Sequence, residues 1–151
     1  MEEMRDGLPM AMLSHRLARA AEADFFERLA ETEYHDLRMR HTAVLEMLAP
    51  GPANVTELAG HLGMTPQAMS ELLDDMERGG YLQREIDPRD RRARVIRLTS
   101  RGQQAVRRCY DLLEAIEAEY AEAVGEKRYR EARATFAALL ASREERRADE
   151  R

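Results

Sequence analysis

Five arginines crowd into the nine residues Arg89–Arg97, and their surroundings leave the chain few ways to fold there. Asp87-Pro88 opens a turn in which Pro88 presets φ and Asp90 is placed to hydrogen-bond nearby backbone. Val95-Ile96-Arg97-Leu98 then reads as an apolar, β-branched strand. Side chains at the tip of such a hairpin project away from the body of the protein. A guanidinium stays charged and is weakly hydrated, so arginines held there suit a narrow groove of strong negative potential, as in a DNA minor groove. On its own an Arg-rich turn would read as a solvated hairpin. The segment before it argues for a wing.

That segment predicts two helices with a signal at each joint. Asn54 can cap the first, with Glu57 completing a capping box, and Val55, Leu58, Ala59 and Leu62 recur at helical spacing. Gly63 ends it. Thr65 stands as N-cap of the second with Pro66 at its first position, Met69, Leu72, Leu73 and Met76 form its buried stripe, and Gly79 closes it. A short helix, a tight turn and a longer helix make a helix-turn-helix, whose second member enters the major groove. With the hairpin directly behind it, the expected unit is a winged helix.

These residues resemble the MarR family of dimeric winged-helix bacterial transcription regulators. The resemblance is carried by Leu58-Ala59, Thr65-Pro66-Gln67, Leu72-Leu73-Asp74, Glu77-Arg78-Gly79, Asp87-Pro88-Arg89-Asp90-Arg91-Arg92 and Leu98-Thr99-Ser100-Arg101-Gly102. Flanking helices of matching number and length extend it more weakly over nearly the whole chain. The fold class expected is mainly α with a small β-hairpin wing, a winged helix-turn-helix plus terminal dimerisation helices. In the wing, the resemblance implies that Asp90 braces Arg92, which reaches into the minor groove, while Arg89 and Arg91 serve phosphates. On the recognition helix, the face opposite the apolar stripe presents Thr65, Gln67, Ala68, Ser70, Glu71 and Asp74. There Gln67 can read adenine, Ser70 can meet a base or phosphate, and Pro66 positions the helix start.

Two departures from the common family pattern bear on the site. Counted from Asp90, Val95 occupies the place of the family's last motif arginine and Arg94 falls one residue early, which on a strand changes the face. Many members also carry arginine where this chain has Glu71. Asp74, Asp75 and Glu77 follow, against Arg78 alone, so the recognition helix is acidic. Such a helix repels phosphates and must recover that cost through cytosine amino contacts or through the wing.

The formal charge of -5 at first argues against nucleic acid, but distribution matters more than the total. From Arg84 to Arg101 there are seven arginines (84, 89, 91, 92, 94, 97, 101) against Glu85, Asp87 and Asp90. The acidity belongs mostly to the long helices. One starts near Pro9 with Met10, Leu13, Leu17, Ala21, Phe25 and Leu29 on a stripe. Another holds Leu37, His41, Val44, Leu45 and Leu48 and stops at Pro50-Gly51-Pro52. Thr99 is placed to cap a third, with Val106, Tyr110, Leu113, Ile116 or Glu117, Tyr120 and Val124 along one face up to Gly125. The last carries Tyr129, Ala132, Phe136, Leu139 and Leu140, before a charged tail. The terminal helices have more apolar stripe than one small winged helix can cover, so a second copy is expected, and a two-fold dimer would read an inverted repeat. The organisation expected is a single domain over 1–151: helices 9–31 and 99–142 for dimerisation, 33–98 for the winged helix-turn-helix, and a fraying tail at 143–151.

At 151 residues, with one cysteine and no apolar run near the roughly 20 residues that span a membrane, the chain reads as a cytoplasmic protein without a disulfide or a membrane partner. Residues Met1 to Gly7 are acidic, unlike a signal peptide. No phosphate loop, HExxH or GxSxG is present, and no enzyme is expected. His35 and His41 are six apart, not the i, i+4 spacing of two ligands on one helix face, so no metal or other cofactor is expected. Cys109 reads as a small buried hydrophobe. The resemblance implies an anionic or aromatic small-molecule effector held between the dimerisation helices and the winged helix. His15, Arg19, Arg38 and His41, with His35, lie on the segments that would wall it, and as readily serve as surface residues. The partners expected are therefore double-stranded DNA, a second copy, and such an effector. The alternative is a degenerate winged helix whose acidic helix faces a basic protein partner.

Overall fold

The computed structural model of the chain describes residues 7–86 and 94–149, the side chains of the last three excepted. Along them run α1 (Met10–Ala30), α2 (Met39–Leu48), α3 (Val55–His61), α4 (Pro66–Arg78), β1 (Leu82–Ile86), β2 (Arg94–Leu98), α5 (Ser100–Val124) and α6 (Glu126–Asp149). The chain divides into two compact units, with the boundary between Leu112 and Leu113, inside α5.

In the first unit the helix-turn-helix forms for the reasons its sequence announces. The Asn54 side chain accepts from the Glu57 N–H at 2.9 Å while the Glu57 carboxylate accepts from the Asn54 N–H at 2.9 Å, so two otherwise orphaned donors are satisfied. Gly63, at φ +62°, turns the chain out of α3 in a conformation that costs a residue with a Cβ more. Thr65 Oγ1 accepts from the Ala68 N–H at 3.2 Å and Pro66 opens α4. Met69, Leu73 and Met76 are fully buried and Leu72 is half-buried. At the far end Gly79 remains right-handed, and it is Gly80, at φ +74°, that makes the left-handed exit.

The strands β1 and β2 pair antiparallel, from Leu82 opposite Leu98 to Ile86 opposite Arg94, and Ala53 adds a short bridge to Ile96. Leu82, Ile96 and Leu98 turn into the core with Leu45, Leu58 and Tyr81. The expected winged helix-turn-helix is therefore present. The segment Leu98-Thr99-Ser100-Arg101-Gly102 now has a physical account. Thr99 donates its N–H to the Tyr81 carbonyl at 3.0 Å and its hydroxyl to the Gly80 carbonyl at 2.6 Å, and its Oγ1 accepts from the Gly102 N–H at 3.1 Å as α5 begins. A Cβ on Gly102 would lie 2.0 Å from the Tyr81 carbonyl oxygen, so the close approach of β1 to α5 requires glycine.

Tyr81 is also a junction. The Arg101 guanidinium lies 4.7 Å from the Tyr81 ring centre and 5.4 Å from that of Tyr34, and donates to the Tyr81 hydroxyl at 3.1 Å and the Glu33 carbonyl at 3.2 Å. The Tyr81 hydroxyl donates onward to Asp36, and burial together with that hydrogen bond pushes its pKa up to about 12.

Two expectations need correction. Leu37 is buried, but it lies ahead of α2 rather than within it. On α5 Ala105, Leu112, Ile116 and Ala121 are buried in the single chain, while Tyr110, Leu113 and Val124, which the sequence puts along one face, are exposed there. The charged tail expected to fray from Arg143 continues as helix to Asp149. In the second unit, Gly125 at φ +91° separates α5 from α6, and the Tyr129 pKa is raised by burial and by Glu117 across that turn.

Candidate nucleic-acid interface

The exposed side of α4 is a direct product of its amphipathic pattern. With Met69, Leu73 and Met76 directed inward, Thr65, Pro66, Gln67 and Glu71 are exposed along the first two turns and Ser70 is half-buried beside them. Gln67 Nε2 donates to Glu71 Oε1 at 3.3 Å, one helical turn away. Five of the residues expected to meet DNA on the recognition helix thus lie together on its N-terminal half, where helix-turn-helix proteins present side chains to base edges.

The wing is described only at its base. Arg89, Asp90, Arg91 and Arg92, which the sequence places at the tip, lie outside the described residues, as do Asp87, Pro88 and Ala93. Arg94 is exposed at the distal end of β2. It shares its strand face with Ile96 and Leu98, while Val95 and Arg97 share the other. The one-residue displacement seen in the sequence therefore does set Arg94 on the opposite face from Val95.

The structure places three of the seven local arginines in internal contacts. Arg97 Nε donates to Glu85 Oε2 at 3.0 Å, and hydrogen bonds from Gln83 and Arg97 hold the Glu85 carboxyl below its ordinary pKa. Arg101 is engaged at the Tyr34–Tyr81 junction. Arg84, on the face of β1 that also carries Leu82, reaches α4: Nη2 lies 2.6 Å from Asp74 Oδ1 and 3.5 Å from the Ser70 carbonyl, and Nη1 pairs with Glu77. Its backbone N–H donates to Glu77 Oε1 at 3.2 Å as well. Sequence reasoning missed this clamp. The signal was present in two carboxylates three residues apart, hence on one helical face, followed by a strand whose alternation turns Arg84 the same way as buried Leu82.

Asp75 is compensated differently. Arg78 pairs with it at 3.0 Å and His41 Nε2 lies 3.4 Å from its other oxygen. The Arg78 hydrogen bond first, and then His41, hold its pKa below the ordinary value. His41 Nδ1 accepts the Arg38 N–H at 3.1 Å, so a neutral ring must carry its proton on Nε2 and donate toward Asp75. His41 thereby joins the start of α2 to the recognition helix.

Of the residues suggested for an effector, Arg38 and His35 line the groove of about 400 Å³ between α1 and α2, together with Glu22, Phe26, Leu29, Leu37 and Met39. The Arg38 guanidinium donates to the carbonyls of His35 and Leu37 at 2.9 and 3.1 Å. His15 and Arg19 are exposed on α1 and do not line this groove, nor does His41. Cys109 is partly buried, and desolvation pushes its thiol up to about 11, which suits a packing role rather than a reactive one. No helix among the described residues is long and apolar enough to cross a membrane.

Comparison with known proteins places this geometry. Residues 35–93 match the model of the MarR family. The uncharacterized HTH-type transcriptional regulator YkoM of Bacillus subtilis is 28% identical over 96 residues, which span 63% of this chain and 62% of that protein, less than two thirds of its length. Among solved structures, the transcriptional repressor CouR bound to a 23-mer DNA duplex is 27% identical, with a TM-score of 0.68 over 88% of this chain and 92% of that one. The Mycobacterium tuberculosis MarR family protein RV2887 in complex with salicylic acid is 25% identical, with a TM-score of 0.69 over 89% and 98%. YusO of Bacillus subtilis, at 22% identity, shares the fold with a TM-score of 0.71 over 93% and 96%. The segment that resembles the MarR family model covers the helix-turn-helix and the first strand with the arginine run behind it, and the fold is similar to that of MarR family structures over most of the chain.

Proposed function

We propose that the chain is a sequence-specific DNA-binding transcription regulator that acts as a homodimer on an inverted-repeat operator, and that it is a ligand-responsive repressor. The observation that carries this reading is the polar face of α4, with Gln67, Ser70 and Glu71 on its first two turns, beside a hairpin whose connecting segment holds Arg89, Arg91 and Arg92. The likeness to a repressor solved on a DNA duplex supports the DNA-binding part. The dimer is supported by apolar side chains exposed on the single chain, among them Met10, Leu13 and Leu17 on α1 and Phe136, Leu139 and Leu140 on α6. Ligand response is supported by the likeness to a protein solved with salicylic acid, and by a groove whose apolar walls carry Arg38.

Selection of bound sequences from random duplex DNA tests the central claim, with an enriched inverted repeat as the expected result. The salt dependence of binding then counts the wing. Four arginines per subunit, Arg89, Arg91, Arg92 and Arg94, give a slope of log affinity against log salt of about -7 for the dimer, whereas all seven would give about -13. A slope near about -2 without sequence preference would favour the protein-interaction module instead. Salicylate is the probe for the effector, expected to release the dimer from its operator.

A further inference from the structure

The four carboxylates of α4 are not equivalent. Asp74 and Glu77 share Arg84, and Asp75 faces Arg78 and His41. Glu71 alone of the four has no cationic partner among the described residues; its contact is the neutral amide of Gln67. The acidity that in the sequence opposes DNA is therefore largely neutralised within the fold, and one exposed carboxylate is left on the face that would enter the major groove.

We propose, resting on the DNA-binding reading above, that Glu71 is a specificity-determining residue that takes a cytosine amino group in each operator half-site. A carboxylate only accepts hydrogen bonds, so in a groove it must meet a donor or lose its water uncompensated. Guanine and thymine offer it acceptors, guanine O6 and N7 and thymine O4. Adenine offers its N6 amino group with the N7 acceptor beside it, which faces the second carboxylate oxygen. Cytosine offers the N4 amino group without that neighbour. Because Glu71 is acceptor-only, Gln67 must turn its NH2 toward it, and this contact orients the carboxylate before DNA arrives. Arg84 contributes by removing the repulsion of two neighbouring carboxylates and by holding the helix at the Ser70 carbonyl.

The test compares sequences selected from random duplex DNA by the full-length protein and by Glu71→Gln and Asp75→Asn, each checked to be fully folded at the assay temperature. The wild type is expected to enrich an inverted repeat with one cytosine per half-site preferred about tenfold. Glu71→Gln should relax that position alone and bind non-specific DNA more tightly, and Asp75→Asn should leave the position unchanged. An equally stringent repeat from Glu71→Gln overturns the proposal while leaving the DNA-binding reading intact. Relaxation by Asp75→Asn to the same degree, or adenine at the affected position, also overturns it. Failure of the wild type to enrich any sequence overturns both.

Discussion

The helices α4 and α6 both carry apolar side chains at helical spacing among charged ones, yet these have opposite fates in the single chain. In α4 the apolar residues Met69, Leu73 and Met76 are fully buried, its N-cap is satisfied, and three of its four carboxylates face cations. In α6, nearly twice as long, Phe136, Leu139 and Leu140 remain exposed, Leu140 at 63%. The first helix is stabilised by its own chain. The second presents the kind of surface that association covers, and each full side-chain burial there would contribute about 1.5–3 kcal/mol.

Removing everything from Glu126 onward is the harshest way to break this contrast. The expected outcome is an unfolded or aggregating chain, since the apolar partners of α6 would be left uncovered. A soluble monomer with its full remaining helical signal would show that α6 is dispensable. Leu73→Ala and Leu139→Ala sharpen the same contrast. The former should cost about 2–5 kcal/mol by leaving a cavity in the core, independent of protein concentration. The latter should act through the dimer, so that its loss of thermal stability grows on dilution. Equal concentration dependence for both variants would erase the distinction.

Arg92→Ala is expected to weaken operator binding by about 1–3 kcal/mol and leave unfolding unchanged, because the sequence puts it in the charged segment that joins β1 to β2. Unchanged affinity at matched salt would remove it from the contact list. The smallest effect concerns Asp75. Its folded-state pKa is depressed by Arg78 and His41, so the stabilisation it provides is present above the ordinary carboxylate value and is lost as pH falls through the folded value. Asp75→Asn should therefore lower stability slightly near neutrality and flatten the acid limb, the two proteins converging at low pH. Equal stability of the two at neutral pH would contradict that assignment.

Much of the winged helix was legible because its signals are local. Asn54 with Glu57, Thr65 with Pro66 and the Met69–Met76 spacing each act within one or two turns, and each does in the fold what its spacing announces. The packing at the start of α5 was not legible, because it rests on Gly102, whose value lies in letting the Tyr81 backbone come close. A residue that contributes by being small leaves little trace in a hydropathy pattern. The charge count misled for a related reason: a sequence shows how many arginines a segment holds, not which of them are already engaged.

By itself, then, the sequence determined the helix-turn-helix, its caps, the hairpin behind it and the arginine run between Ile86 and Val95, because these depend on backbone preference and short-range periodicity. Tertiary structure decided which charges remain available. Arg84, distant along the chain from Asp74 and Ser70 by a helix end and a turn, reaches both only once β1 lies against α4, and His41 meets Asp75 only once α2 does. Electrostatic pairing depends on separation in space, and folding brings these charges within a few ångströms of one another while leaving Glu71 without a cation among the described residues.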